Sequence, residues 1–92
     1  MSYIRSYRSR TLEEKTEHAA ARLLERYSIR LTMKLLFKLR GMMRKGNYRT
    51  LKVWRDSHRS VEVVELEGQE VTMLWSWIMD APVTFLPPEA WR

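Results

Sequence analysis

Ninety-two residues are enough for one domain and too few for a deep enzyme cleft beside a packed core. The chain has no cysteine, which excludes a disulfide framework and a thiolate metal site, and no apolar run approaches the ~18 residues of a membrane span. Its net charge of +6 conceals a division: residues 1–60 carry sixteen of the seventeen Lys and Arg against five acids, a balance of +11, while residues 61–92 carry Arg92 against six acids, a balance of −5. A surface that only keeps a protein soluble intersperses the two signs, so this segregation implies an anion-facing region in the first two thirds of the chain.

Residues 1–10 repeat Ser-Tyr among arginines, with no periodic apolar content, and read as a flexible basic arm. They contain no apolar h-region, so a cytoplasmic location is expected. Thr11-Leu12-Glu13-Glu14 has the form of a capping box, and Glu13, Glu14 and Glu17 suit the positive end of a helix dipole. Ala20, Leu23, Leu24, Tyr27 and Leu31 then recur at helical spacing, which predicts a helix over 11–27.

Residues 29–40 satisfy two templates. Ile29, Leu31, Met33, Leu35, Phe37 and Leu39 alternate as in a strand, yet Leu31, Leu35, Leu36, Leu39, Met42 and Met43 also project to one side of a helix. The end signal is helical, with Arg44 and Lys45 in a last turn before Gly46-Asn47. The reading is one long helix, or two consecutive ones with a break near Ser28.

Beyond Gly46 the segments 48–55, 61–67 and 71–78 are richer in β-branched and aromatic residues, and turn-forming residues separate them. They predict a three-stranded antiparallel meander in which Leu51 and Val53 share one face. Val71, Met73, Trp75 and Trp77 share another, assigned to the core. Pro82, Pro87 and Pro88 argue against a central strand or a regular helix, so 80–92 reads as an extended tail. The expected architecture is α+β: an arm over 1–10, a single domain over 11–79 with helices packed on the sheet, and the tail.

Arg22, Arg26, Arg30, Lys34 and Lys38 recur every four residues, the spacing of one helix face, and Arg44, Lys45, Arg49, Lys52, Arg55 and Arg59 extend the tract. Over 26–59 eleven Lys and Arg face Asp56 alone, a balance of +10 that a polyanion would relieve. Tyr48 and Trp54 lie among these cations and offer rings for stacking. In the tail, Pro82, Phe85, Leu86, Pro87 and Trp91 form a candidate docking segment, and its X-Pro bonds would suit a prolyl isomerase.

Signals for catalysis are sparse. His18 lies in the first helix and His58 in a turn, and Asp56-Ser57-His58 collects triad residue types without any assurance of triad geometry. The chain has no glycine-rich phosphate loop, no HExxH and no carboxylates at metal spacing. Glu62, Glu65 and Glu67 read as solvated charge on a strand. No catalysis, cofactor or metal is expected.

Two resemblances follow from these features. A short basic chain with two helices before an antiparallel sheet, and Tyr48-Arg49 opening a strand, resembles RelE/ParE-type toxins; this implies a metal-free ribonuclease working through Arg, Lys and Tyr. The glycine those toxins carry after that strand is absent, and the C-terminal segment departs from their pattern. Small size, skewed charge, no catalytic motif and an irregular tail are similar to phage-encoded proteins that disable or redirect host nucleases, anti-CRISPR and anti-recombination-nuclease proteins among them. That likeness implies a nucleic-acid-processing protein or complex as partner. The leading expectation is a non-enzymatic binder that modulates such an enzyme, or binds nucleic acid directly, through the basic face. A ribonuclease toxin and an adaptor docking on an acidic protein surface are the alternatives.

Overall fold

A computed structural model describes residues 16–89. The capping box at Thr11, the arm over 1–10 and Trp91 lie outside the described residues.

Helix α1, Glu17–Tyr27, buries Ala19, Leu23 and Tyr27, one residue per turn along a single stripe. It ends where Ser28 takes a left-handed conformation (φ 58°) and donates its amide to Leu24 O at 3.0 Å. Helix α2, Met33–Lys45, starts at Thr32, whose hydroxyl accepts from Leu35 N at 3.1 Å. It stops at Gly46 (φ 79°), and Asn47 N reaches back to Met42 O at 2.9 Å. The ambiguous stretch is therefore helical from Met33 onward, with Leu35, Leu36, Leu39 and Met43 buried.

Four strands follow: β1 Arg49–Trp54, β2 Arg59–Leu66, β3 Gln69–Ser76 and β4 Ala81–Leu86, paired antiparallel in chain order. Glu67 and Gly68 both have positive φ, as a two-residue hairpin between right-twisted strands requires. The class is α+β, with four strands where the sequence predicts three. The addition is β4, taken from the segment read as a tail. It runs along the sheet edge, where a proline's missing N–H costs no ladder bond, and Pro82 sits at a register shift opposite Trp75.

Cross-strand register fixes the faces. Ser60 opposes Trp75, Glu62 opposes Met73 and Val64 opposes Val71, so these residues share one face. That face joins Ala19, Leu23, Tyr27, Leu35, Leu39 and Met43 of the helices, and Phe85 of β4, in one core. Both described helices thus lie on the same side. Trp77, assigned by parity to the core, is instead 41% exposed, because β3 ends at Ser76 and the chain has turned. Val53, on the edge strand β1 beyond a register shift at Leu51, is exposed as well.

Side chains of three arginines and one tyrosine tie the helices to β4 and its turn. Arg26 Nη1 donates to Phe85 O at 2.6 Å. The Tyr27 hydroxyl donates to Leu86 O and accepts from Thr72 N, bridging β3 and β4. Arg40 Nε donates to Asp80 O at 2.7 Å, and Arg44 Nη2 lies 3.1 Å from Asp80 Oδ2.

Candidate functional site

The break at Ser28 divides the predicted basic row. Arg22 pairs with Glu25 at 3.0 Å and Arg26 is committed to the Phe85 carbonyl, so neither continues a line of available cations. Arg30 is exposed in the link between helices. On α2, Lys34, Lys38, Arg44 and Lys45 are all exposed, and no acidic residue occurs in the helix. On and beside β1, Arg49, Lys52, Arg55 and Arg59 are exposed, with Arg49 Nη2 3.8 Å from Glu70 Oε1. Among the described residues Arg30, Lys34, Lys38, Lys45, Lys52, Arg55 and Arg59 form no ion pair.

The exposed side of α2 is not uniformly polar. Phe37 is 57% exposed and Met33 39%, one turn apart among the lysines. The Arg40 guanidinium lies 5.8 Å from the centre of the Phe37 ring while its Nε holds the Asp80 carbonyl. Ile78, two residues from Asp80 in the β3–β4 turn, is 74% exposed. Sequence reasoning counted Phe37 as one term of an apolar alternation; its signal was its place opposite Leu35 and Leu39 on the helical projection.

Tyr48 and Trp54 are not brought together. Tyr48 packs against the helix-side core, its ring edge-on to Trp77 at 5.8 Å, so it is not a free stacking platform. Trp54 opposes Arg59 on the other face of the sheet, where the Lys52 ammonium lies 5.8 Å from its ring centre. Tyr48 and Arg49, the pair resembling the toxin motif, likewise diverge: one joins the core and the other reaches Glu70 across the opposite face.

The tail residues are corrected most. Phe85 is wholly buried in the core and Pro82 is buried in β4, so neither is presented to a partner or to a prolyl isomerase while the sheet is intact. Leu86 and Pro87 are half-buried. Phe85 opposes Met73 beneath α1, and burial of a whole aromatic side chain outweighs the cost of an edge strand.

Glu62 also departs from its reading as solvated charge. It is 1% exposed, and its carboxylate accepts from the Thr50 hydroxyl at 2.7 Å and the Ser60 hydroxyl at 2.6 Å. The Trp77 indole N–H donates in turn to Ser60 Oγ at 2.9 Å. Thr50 opposes Glu62 in the β1–β2 register, which brings the carboxylate and its first donor together. The neighbouring Trp75 Nε1 is buried with no hydrogen-bond partner among the described residues.

The Asp56-Ser57-His58 sequence forms a turn rather than a relay: Asp56 Oδ1 accepts from Ser57 N at 3.0 Å, and His58 (φ 56°) gives its carbonyl to Trp77 N. His18 is exposed on α1. Among the described residues no group of His, Cys, Asp and Glu is placed to hold a metal ion, and no helix is long and apolar enough to cross a membrane. Comparison with protein-family models, curated proteins and solved structures returns no significant match.

Proposed function

We propose that this protein is a non-enzymatic binding protein that modulates a nucleic-acid-processing enzyme, engaging it through the basic surface of α2. The observation that carries this reading is the exposed side of α2, where Lys34 and Lys38 neighbour exposed Phe37, Lys45 continues their row, and no carboxylate in the helix offsets them. Large apolar groups ringed by charge suit a protein partner, whose interface centre is dry and whose rim is polar. Direct nucleic-acid binding is the second reading, favoured by the cations on and beside β1 around Trp54.

Affinity capture from the native host, with and without nuclease treatment, separates the two. A protein complex retained after nuclease, with a shallow salt slope, supports the first reading. Affinity for purified nucleic acid that falls ~10³-fold or more between about 50 and 200 mM salt supports the second. RNA or DNA cleavage by the purified protein that Tyr48→Phe or Arg49→Ala abolishes would replace both with the toxin reading.

A further inference from the structure

Glycine is the poorest helix-interior residue after proline, so one in the body of a helix calls for a reason. Gly41 stands in the ninth of the thirteen positions of α2. It is not needed for packing within the molecule: a Cβ built on it meets no atom within 4 Å. Nor does it serve a left-handed turn, as Gly46 and Gly68 do.

Its neighbours on the helix surface supply the context. Lys34, Lys38, Gly41 and Lys45 form one row at spacings of four, three and four, and Met33, Phe37, Arg40 and Arg44 form the next. Both rows face away from buried Leu35, Leu39 and Met43. Arg40 and Arg44 lean to Asp80 in the β3–β4 turn, which draws the two side chains beside Gly41 toward the sheet. What remains is a gap in the helix surface, with the exposed Phe37 ring one turn before it and lysines on either side.

We infer that the gap at Gly41, beside Phe37, receives an acidic amphipathic helix of a protein partner. Missing side-chain bulk lets a second backbone approach closely, and Phe37 gives that partner an apolar anchor. Lys34, Lys38 and Lys45, without carboxylates of their own among the described residues, pair with its acids. The row from Lys34 to Lys45 is about 16 Å long, room for three helical turns. A nucleic-acid strand, which would stack a base on the Phe37 ring, is the competing occupant, and the oligonucleotide arm of the test distinguishes it. Two copies of α2 packed about a two-fold axis would set the three lysines against one another. The inference rests on the protein-binding reading above and adds to it the shape and chemistry of the partner.

The probe is a synthetic helical peptide of about five turns with leucines along one side and glutamates flanking them. It is titrated into the whole protein against a single-stranded oligodeoxynucleotide of equal charge. Amide shifts centred on Phe37, Gly41 and Ile78 are expected with the peptide and not with the oligonucleotide. Gly41→Leu, which fills the gap at a half-buried position where an added Cβ meets no atom within 4 Å, and Phe37→Ala should each weaken the peptide about tenfold or more while circular dichroism stays unchanged. Gly41→Ala should raise the thermal midpoint by about 4–8 °C, since the helix gains and no internal contact is lost. No binding by the unaltered protein, or stronger shifts at these amides with the oligonucleotide, overturns the inference. If the paired change Lys34→Glu, Lys38→Glu abolishes binding but Gly41→Leu does not, the gap plays no part and the basic-surface reading stands. If neither change affects binding, both fail.

Discussion

A carboxylate withdrawn from water must recover its hydrogen bonds from the protein, and Glu62 does so from Thr50 and Ser60. Glu62→Ala would leave both hydroxyls without their acceptor and open a void, so a loss of about 2–4 kcal/mol is expected in urea unfolding. Glu62→Gln keeps the volume but turns one acceptor into a donor facing a hydroxyl, and should cost about half as much. Trp77→Phe retains a ring beside Tyr48 while removing the N–H to Ser60, an expected loss of about 1 kcal/mol. These residues were hard to read from sequence because β2 is buried on both faces: Ser60, Glu62, Val64 and Leu66 alternate with Val61 and Val63, which are also buried. Alternation therefore cannot say which parity meets the helices, and a glutamate in such a strand looks like its exposed neighbour Glu65. Ser28 is simpler. It holds φ 58° without being glycine, and Ser28→Gly should stabilise the protein by about 0.5–1 kcal/mol.

At the scale of elements, the helices were legible because their ends carry chemistry. Arg44 and Lys45 precede Gly46, which ends α2, and that signal outweighs a period-two pattern that belongs equally to a strand; the cap at Thr32 emerged only in the structure. β4 was not legible, since its prolines suggest loop and its partner β3 is identified only once the sheet order is known. The difference is testable. Truncation after Asp80 should abolish cooperative unfolding rather than merely remove a docking tail, because it deletes an edge strand and the wholly buried Phe85. Phe85→Ala alone should cost about 3–5 kcal/mol in chemical denaturation. A folded truncated protein with an unchanged thermal midpoint would return β4 to the role of a tail.

For the molecule as a whole, the charge division seen in the sequence survives folding, but its surface is not the one a simple four-residue repeat implies. Arg22 and Arg26 are used internally, and among the described residues the available cations gather on α2 and about β1, with Arg30 in the link between the helices. Exposed Glu65, Glu67 and Glu70 stand at the β2–β3 hairpin. Such a polarised molecule approaches an anionic partner with a preferred orientation. Association should therefore slow as salt rises, and Lys34→Glu with Lys38→Glu should lower the on-rate more than it raises the off-rate in stopped-flow measurements. The basic region could be located in the sequence because charge is additive along a chain. Which cations remain available depends on contacts such as that between Arg26 and Phe85, between residues distant in sequence.

The Tyr27 hydroxyl joins the last turn of α1 to β3 and β4 at once, across a separation of 59 residues to Leu86. The first described helix and the last strand are thereby held in one cooperative unit. The unit closes only when Leu86 is present, so during synthesis α1 has no finished place to dock until residue 86 has emerged. In the native state, the amides of α1 and β4 should exchange with solvent through the same opening and with the same free energy. Tyr27→Phe would uncouple them, letting β4 open on its own while α1 stays protected, a difference that hydrogen exchange read residue by residue would reveal.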